Sequence, residues 1–458
     1  MINTLESKFS FFKAGQGAFY GGIITNPENK KQYSIVYDCG TVSKRIFLQE
    51  EIKEFKTNYS RNGIIDLLFI SHLDWDHVSG MKQLLTEFDV KRIILPYLIK
   101  SQRLPSLLAF AENAPINEGD FKDYSLFLKS PWNYTREHSE NTDIILIDPN
   151  KDDKYLNYNN ENLSDEIYAV GTPIEDLDDY NEINNTSNLY LYKNNLQFFI
   201  ENKWEFTTHV KNVEEDNISK LYTCLKKLLN KNIQDELNYD DIANILINNP
   251  KKAVSKSKKI NAKSCYSLHI GNVNRYGLVL LHGPINYRVL NSVVSESNNN
   301  TTPYCYHVES SRLYTLLLGD SNIKDEDCKE LIKRFKDKLK NVHIFQVPHH
   351  GSKNNWNTKV FDNLDIGTKC QSPNSTFAVC NFGDSFKLKY PCQDIKNKFE
   401  SNLLLNTEFN RVTINYDIHY SNTNPINYQC SYCLNKHLNI SFDNTYQNFM
   451  VKKWYNID

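Results

Sequence analysis

The chain has 458 residues, a formal net charge of −2, and 40% hydrophobic and 24% charged residues. This length allows two or three domains, or one large domain with insertions, and the composition is that of a globular protein with a substantial core. A net charge this close to zero provides no general attraction for nucleic acid or anionic lipid. Any contact with nucleic acid would therefore need a local basic patch.

The sequence contains no apolar run of about 18 residues, so it predicts no membrane span. Residues 1–8 lack a basic segment followed by a long apolar one, which argues against a secretory signal peptide. The ten cysteines are scattered among mostly apolar neighbours, as expected for reduced, buried thiols rather than a disulfide framework. We therefore expect a cytoplasmic protein with free cysteines.

The N-terminal third alternates strand-like and helix-like segments. Apolar residues at helical spacing predict amphipathic helices over 45–55 and 78–88. Strands are predicted at 9–12, 33–37, 64–70 and 92–96. This alternation predicts a layered α/β domain.

The middle of the chain has a different pattern. Residues 150–190 are dense in Asn and Asp and lack apolar periodicity, so we expect a surface excursion. Helical periodicity returns over 217–249 and precedes the basic run 251–259, which is either a phosphate contact or, more commonly, a solvated linker. We interpret residues 101–260 as an insertion or cap.

The α/β pattern resumes near residue 264. Strands and helices are predicted at 313–318, 325–339, 342–347, 376–380, 393–399 and 411–416. The predicted division of the chain is an N-terminal half-domain 1–100, the insertion 101–260, a C-terminal half-domain 261–420 and an extension 421–458.

The most informative segment is 71–77, Ser-His-Leu-Asp-Trp-Asp-His, which directly follows the apolar stretch 64–70. A tight loop between a strand and a helix can turn several side chains toward one point, as a two-metal site requires. Imidazole and carboxylate groups together suit zinc, manganese or iron better than calcium or magnesium. A polar turn with chance histidines is the weaker interpretation, because so many ligand groups lie so close together. The candidate ligands are His72, Asp74, Asp76 and His77.

Asp38, Asp320 and the pair His349-His350 each follow an apolar segment at a predicted strand end. A single Asp at a strand end is more often a turn former than a functional residue. A parallel α/β sheet, however, would gather the ends of its strands along one edge. Together with the 71–77 segment, these residues predict one polar site.

Five segments occur in the order of a metallo-β-lactamase-fold hydrolase, which the chain resembles: 12–17, 37–40, 71–77, 318–320 and 347–352. More narrowly, the Gly-Gln-Gly at 15–17, Asp74 in place of the usual middle His, and the His-His-Gly-Ser at 349–352 are similar to the ComEC-type branch. That branch is associated with competence and DNA uptake, and here it would occur in a stand-alone, soluble form. The resemblance implies an αββα sandwich with a large, partly helical insertion and a binuclear metal site at one edge.

This resemblance also implies the roles of individual residues. Asp320 would bridge two divalent metal ions, zinc or manganese, and Asp74 would shift the expectation toward manganese because it makes the site harder and more anionic. Catalytic roles would fall to Asp76, His350 and Asp38, with Asp38 orienting a ligand imidazole. Either histidine of the pair 349–350 would be a ligand or a substrate contact. The full set of implied metal ligands is His72, Asp74, Asp76, His77, Asp320 and His349.

Two positions depart from the family pattern. Ala18 follows the Gly-Gln-Gly where the family has Asp, and Tyr390 stands before Pro391 where the family has His. One further His ligand is expected between the main motif and Asp320. Its candidates are His138, His209, His269 and His282.

The resemblance implies a metal-dependent hydrolase, most simply a phosphodiesterase or nuclease with nucleic acid or a nucleotide as substrate. The alternative is a non-catalytic or regulated subunit, which Ala18, Tyr390 and the large insertion would favour. Similar stand-alone domains with insertions occur in multi-gene bacterial defence modules. This alternative therefore includes an antiviral, anti-phage complex in which residues 101–260 bind a protein partner, and neither interpretation requires a membrane.

Overall fold

In the computed structural model, two β-sheets pack face to face and helices cover the outer face of each sheet. The mixed α/β architecture predicted from the sequence is confirmed. No helix in the described part of the chain is long and apolar enough to cross a membrane. The structure describes residues 3–113, 118–151, 166–176, 180, 183, 188–211, 215–228, 239, 242, 265, 277–285, 288–295, 314–323, 325–353, 356, 362, 364, 366, 376–383, 390–399, 403–407 and 410–420.

The strands of the described residues form two large sheets and one small ladder. The first sheet contains, in spatial order, β10 (Leu189–Lys193), β8 (Asp143–Asp148), β7 (Arg92–Pro96), β5 (Leu67–Phe69), β3 (Lys31–Thr41), β2 (Gly17–Asn26), β1 (Asn3–Phe11), β19 (Val412–Tyr420) and β14 (Arg288–Ser295). The second contains β18 (Leu403–Asn406), β17 (Phe377–Asn381), β16 (Val342–Gln346), β15 (Tyr314–Leu317), β13 (Leu278–Pro284), β12 (Trp204–Val210), β11 (Gln197–Ile200) and β9 (Ile167–Val170). The small ladder pairs β4 (Ile64–Ile65) with β6 (Asp89–Val90).

Helices form the two outer layers. They are α1 (Arg45–Asn58), α2 (Trp75–Val78), α3 (Met81–Glu87), α4 (Lys100–Asn113), α5 (Glu118–Lys129), α6 (Pro131–His138), α7 (Glu215–Leu228), α8 (Asp325–Phe335) and α9 (Gln393–Phe399). Two 3-10 segments, Lys336–Asn341 and Pro348–Gly351, precede and follow β16.

The apolar stretch 64–70 shows why the layers form. Leu67 and Phe69 lie in the core between the two sheets, whereas Leu68 and Ile70 lie in the core beneath the helices of the first sheet. Side chains alternate between the faces of a strand, so a strand that is covered on both sides is apolar at every position. The continuous apolar run is therefore the signature of a central strand in a layered fold.

The helices bury one face each on these sheets. In α1, Leu48, Ile52 and Phe55 are spaced by one helical turn and pack in the core on the first sheet. In α8, Leu331 and Phe335 do the same on the second sheet. Each sheet is therefore shielded from water on its outer face by an amphipathic helix layer.

Several predicted elements agree closely with the structure. The strand at 92–96 and the helix at 393–399 have the predicted bounds. The strand predicted at 64–70 is interrupted at Asp66, whose Oδ2 accepts a hydrogen bond from the Ser34 amide at 2.7 Å. The helix predicted at 78–88 corresponds to α3, which begins three residues later at Met81, while the short helix α2 precedes it and ends at Val78.

One expectation for the middle of the chain and one for the cysteines are wrong in part. Strand β9 lies within the stretch 150–190 that was predicted to be only a surface excursion. Cys224 and Cys265 form a disulfide, although all cysteines were expected to be free. The reason is proximity in the fold, which brings two residues with a sequence separation of 41 within bonding distance. Cys39, Cys328, Cys380 and Cys392 are free, as predicted.

Within residues 101–260, strands β8 and β10 extend the first sheet, while β9, β11 and β12 extend the second. The described part of this region therefore contributes to both central layers. The predicted basic run 251–259, the candidate His269 and the extension 421–458 lie outside the described residues. The domain boundaries themselves stay a prediction.

An ion-pair cluster joins the start of β19 to α1. Arg411 contacts Glu51 at 2.9 Å and Glu54 at 2.7 Å, and the Glu51 side chain is only 7% exposed. Removing one member of a buried ion pair leaves an uncompensated charge. We expect Arg411→Met to lower the free energy of unfolding by about 3 kcal/mol, measured by urea denaturation.

The matched control for this prediction is Lys398→Met. It removes an ion pair between Lys398 and Asp362, whose side chain is exposed. This control should change stability by less than about 0.5 kcal/mol, because exposed ion pairs contribute little. Equal effects of the two substitutions would contradict the assignment of Arg411 as a buried link.

Candidate metal centre

A β-bulge in β3 directs Asp38 toward the site. Phe19 of β2 pairs with Cys39, and Tyr20 pairs with Tyr37, so Asp38 is the extra residue between the two pairs. It has φ of 57°, in the left-handed region, and its side chain is fully buried. Bulges commonly redirect a side chain near functional sites. Here the bulge turns a carboxylate toward the end of the neighbouring strand β5.

The Asp38 carboxylate accepts three hydrogen bonds. Ser71 donates its amide and its hydroxyl, each at 2.6 Å, and His77 donates Nδ1–H at 2.8 Å. With its proton on Nδ1, the His77 ring presents the lone pair of Nε2 to the site. Asp38 therefore contacts an imidazole of the centre, and the orienting role that the resemblance implies for it stays a prediction.

Two glycines allow the 71–77 segment to approach the first sheet. A Cβ on Gly40 would lie 2.5 Å from the carbonyl carbon of Asp76 and from the amide of His77. A Cβ on Gly17 would lie 2.7 Å from the Asp76 carbonyl oxygen. The backbone of Asp76 and His77 thus packs directly against β2 and β3, a contact that larger residues would prevent.

Helices α4 and α5 hold the other side of this segment. Tyr124 donates a hydrogen bond to the Leu73 carbonyl at 2.6 Å, and the Trp75 ring packs on Phe110 and Tyr124 at centroid distances of 4.8 and 5.2 Å. Trp75 therefore packs beneath the site. The segment is fixed from both sides by contacts that do not involve its acidic and imidazole groups.

The second sheet contributes Asp320 from the turn after β15. Gln346 on β16 accepts hydrogen bonds at Oε1 from the amides of Leu318 and Gly319, at 3.1 and 3.0 Å. Gly319 has φ of 54° and permits the turn. The resulting position of Asp320 places its Oδ1 3.2 Å from Nε2 of His77.

The segment after β16 contributes two histidines with left-handed backbone, His349 with φ of 47° and His350 with φ of 55°. His350 donates Nδ1–H to the carbonyl of Asn381 at 2.8 Å, so its Nε2 faces Asp76 Oδ2 at 3.3 Å and Asp320 Oδ2 at 3.8 Å. His349 points its Nε2 to Asp320 at 3.8 Å, and its side chain is 22% exposed. The two neighbours therefore occupy different places at the site.

The structure brings Asp76, His77, Asp320 and His350 together, with one ligand atom of each within 4.8 Å of all the others. His72 lies beside them, with its ring centroid 3.9 Å from that of His77 and its Nε2 3.8 Å from Asp74 Oδ2. All predicted site residues thus lie around one centre. The sequence anticipated one sheet edge, whereas the groups come from two sheets that face each other, because β3 and β5 belong to one and β15 and β16 to the other.

The electrostatics of this centre fit a cation. Burial lowers the pKa of His72 to about 4, with a further contribution from His77, and burial together with Asp76 raises that of Asp74 to about 6. Burial also opposes the charge of Asp320, but His77, His350 and His349 hold its pKa well below the usual range. Converging buried carboxylates are costly unless positive charge compensates them.

Ligand atoms without a hydrogen-bond partner also indicate that this centre binds a cation. Nε2 of His72 and Oδ1 of Asp74 are buried and have no hydrogen-bond partner among the described residues. An orphaned imidazole nitrogen and an orphaned carboxylate oxygen side by side are costly in a folded protein unless a ligand binds them. The donor set of imidazole nitrogens and carboxylate oxygens is one that binds divalent zinc or manganese.

Of the candidates for the additional His ligand, the three in the described part of the chain make their recorded contacts away from this centre, and His269 lies outside the described residues. His138 donates Nδ1–H to the Tyr134 carbonyl on α6, His209 lies 3.8 Å from Glu330, and His282 packs between Tyr20 and Trp204. Ala18 lines the cavity beside His77 and Asp320, and the Tyr390 ring lies 6.4 Å from that of His350.

Sequence reasoning missed three residues that build the centre. Ser71 bridges Asp38 and His72, with Oγ 2.9 Å from Nδ1 of His72, while Gln346 holds the Asp320 turn and the Asn381 carbonyl holds His350. The only available signal was position, because Gln346 and Asn381 are polar residues at the ends of apolar strands. Their roles depend on which strands are neighbours, which the sequence does not state.

The role of Asp38 can be tested by Asp38→Asn. The amide would keep the shape but lose the negative charge that accepts Nδ1–H of His77, so the ring would be held less firmly. We expect metal affinity to fall by about 10- to 100-fold, the usual effect of losing such an orienting partner. Competition with a chelator of known affinity measures this change, and an unchanged affinity would contradict the role.

No curated protein matches the chain. The sequence pattern of the Metallo-beta-lactamase superfamily, whose members are mostly metal-dependent hydrolases, matches residues 28–111. This range includes Asp38, the segment 71–77 and the strands that carry them. The described cluster of Asp76, His77, Asp320 and His350 could hold a metal ion. The chain therefore contains a metallo-β-lactamase superfamily domain, identified over residues 28–111.

Proposed function

We propose that the protein is a phosphodiesterase or nuclease that uses two divalent metal ions, zinc or manganese, and belongs to the ComEC-type branch of the superfamily. The observation that carries the proposal is the convergence of Asp76, His77, Asp320 and His350 within 4.8 Å. Groups from two different sheets meet there, and Asp38 and the Asn381 carbonyl fix two of the imidazoles by hydrogen bonds. The His-His-Gly-Ser segment supports the branch and, with it, the phosphodiester substrate.

Bound metal ions would supply Lewis acidity and lower the pKa of a water molecule in the site. In hydrolysis, the water oxygen forms a bond to phosphorus, the ester P–O bond breaks, and the leaving oxygen takes up a proton. The protein residues provide the geometry for this reaction. Asp320 lies between His77 and His350. His349 is the more exposed of the pair and lies 3.8 Å from Asp320, and we infer from this that it contacts the substrate or delivers that proton.

The test is a hydrolysis screen over single- and double-stranded nucleic acids and cyclic and linear nucleotides, with zinc or manganese. We expect metal-dependent cleavage of at least one phosphodiester. Asp76→Ala/His77→Ala should abolish it, because the double variant removes two of the four clustered groups. Full activity of the double variant would refute a role for this centre.

The second candidate, a regulated or non-catalytic subunit, has one structural observation in its favour. Ala18 lines the cavity at a position where the resemblance predicts a carboxylate, so one of two metal ions would have fewer ligands there. If the purified protein holds less than one metal ion per chain and co-purifies with a neighbouring gene product, this alternative should replace the first. The partner to test is then a protein of an anti-phage complex that binds residues 101–260.

A further inference from the structure

Gln16 lies in the turn between β1 and β2, at the middle of the Gly-Gln-Gly segment 15–17. Its side chain is buried, and its Oε1 accepts a hydrogen bond from the amide of Gly383 at 3.2 Å. Gly383 follows β17 by two residues. Because β1 and β2 belong to the first sheet and β17 to the second, this hydrogen bond joins the two sheets.

The backbone of Gln16 is held firmly on the side of the first sheet. Its amide donates to Oγ of Ser43 at 3.0 Å, and its carbonyl accepts the amide of Val42 at 2.8 Å. The approach to Gly383 is close, because a Cβ on that glycine would lie 3.1 Å from the Cβ of Gln16 and 3.0 Å from Oγ of Ser43. The Gln16 side chain therefore reaches the second sheet from a fixed position.

Each end of this hydrogen bond adjoins the metal centre. At the first end, the next residue in the chain is Gly17, and a Cβ on it would lie 2.7 Å from the carbonyl oxygen of Asp76. At the second end, the residue two positions earlier is Asn381, whose carbonyl accepts the Nδ1–H of His350 at 2.8 Å. The hydrogen bond therefore connects the backbone that packs on Asp76 with the backbone that holds His350.

Asp76 and His350 meet across the gap between the two sheets. Nε2 of His350 lies 3.3 Å from Oδ2 of Asp76. Groups that bind one ligand must be held within about 0.5 Å of their productive positions, by packing and by supporting hydrogen bonds. A cation that contacts both groups therefore requires a constant spacing between the sheets at this place.

We propose that Gln16 is a positioning residue that sets the distance between the two halves of the metal centre. Its Oε1 holds the segment 381–383, and this segment holds the imidazole of His350 opposite Asp76. Gln16 acts on that imidazole through the carbonyl of Asn381. The inference rests on the metal binding of the proposed function, but it is independent of the substrate and of hydrolysis.

The first experiment measures the affinity of the full chain for zinc alone, by competition with a chelator of known affinity. Gln16→Met keeps the length of the side chain and removes the acceptor, so we expect the affinity to fall by about 10- to 100-fold. Gln16→Glu retains an oxygen that can accept from the Gly383 amide and should recover most of this loss. An unchanged affinity in Gln16→Met would overturn the proposal.

Tyr20→Phe is the matched control, because it also removes a buried hydrogen bond between the two sheets. The hydroxyl of Tyr20 on β2 lies 3.0 Å from Nε2 of His282 on β13, in the core between the sheets. This variant should unfold at a lower urea concentration but bind zinc normally. Equal losses of zinc affinity in Tyr20→Phe and Gln16→Met would mean that Gln16 contributes only general stability.

The second experiment observes imidazole N–H protons by NMR in the metal-free chain, labelled with 15N histidine. His350 donates Nδ1–H to the Asn381 carbonyl and His77 donates Nδ1–H to Asp38, so each should give its own downfield signal. We expect Gln16→Met to shift or broaden the His350 signal and to leave the His77 signal in place. A change in both signals, or in neither, would refute a specific effect on His350.

If Gln16→Met does not fold, Gln16→Asn takes its place, because its carboxamide is one methylene too short to reach the Gly383 amide. It should show the same loss of affinity and the same change at His350, and normal values of both would exclude the positioning role. If the unaltered chain binds zinc but cleaves no phosphodiester, the proposed function fails, and the role of Gln16 is decided by the two measurements. If the unaltered chain binds no zinc, the His350 signal alone decides it.

Discussion

Asp320→Asn is expected to remove most of the bound metal and to reduce hydrolysis to background. Asp320 is the one carboxylate in the described cluster that lies near three imidazoles, at 3.2 Å from His77 and 3.8 Å from His349 and His350. An amide in its place keeps the volume but loses the negative charge and cannot bridge two cations. The loss in affinity should exceed the roughly 10- to 100-fold effect of an orienting residue.

Elemental mass spectrometry on protein purified without a histidine tag measures this effect. The unaltered chain should contain close to two zinc or manganese ions, and Asp320→Asn less than half of that. The control is Asp362→Asn, which removes an exposed carboxylate that forms an ion pair with Lys398. Full metal content in Asp320→Asn would show that this aspartate does not bind the ions.

Gly40→Ala is expected to disrupt the centre without altering any ligand. The new methyl group would lie 2.5 Å from the backbone of Asp76 and His77. Backbone atoms cannot move aside by rotating a side chain, so the 71–77 segment must shift as a whole. We expect a loss of about 3 kcal/mol in stability, the range of overpacking, together with a large loss of bound metal.

Gly63→Ala is the matched glycine control. Gly63 has φ of 71°, and its nearest contacts for a new methyl group are at 3.7 Å, away from the centre. Alanine should cost about 1 kcal/mol there through backbone strain alone. Stability follows from thermal or urea denaturation, and metal content should be normal. If Gly40→Ala binds metal as well as Gly63→Ala does, the close approach at Gly40 is not required.

The pair His349-His350 illustrates where sequence reasoning stops. Both imidazoles are chemically suitable, and the resemblance implied His349 as a metal ligand and His350 in a catalytic role. The structure places His350 in the cluster and leaves His349 at its exposed margin, because both residues have left-handed backbone and project in different directions. The Asn381 carbonyl then fixes His350, and Asn381 is 31 residues away along the chain.

Asp38 shows the same limit at a strand end. Its position after an apolar segment was visible in the sequence, and its predicted contact with a ligand imidazole agrees with the 2.8 Å distance to His77. The β-bulge that directs it was not visible, because a bulge is a mismatch in register between two strands, β2 and β3. Register is set by long-range pairing and by the cores on both faces of the sheet.

The sequence by itself determined the mixed α/β class, most strand and helix positions in the first 100 residues, and the chemical groups of the centre. These features depend on local periodicity and on residue type, which short segments contain in full. Only the tertiary structure decided that the groups come from two facing sheets, that Gln346 and Asn381 support them, and that Cys224 meets Cys265. Those features depend on which distant segments the apolar cores bring together.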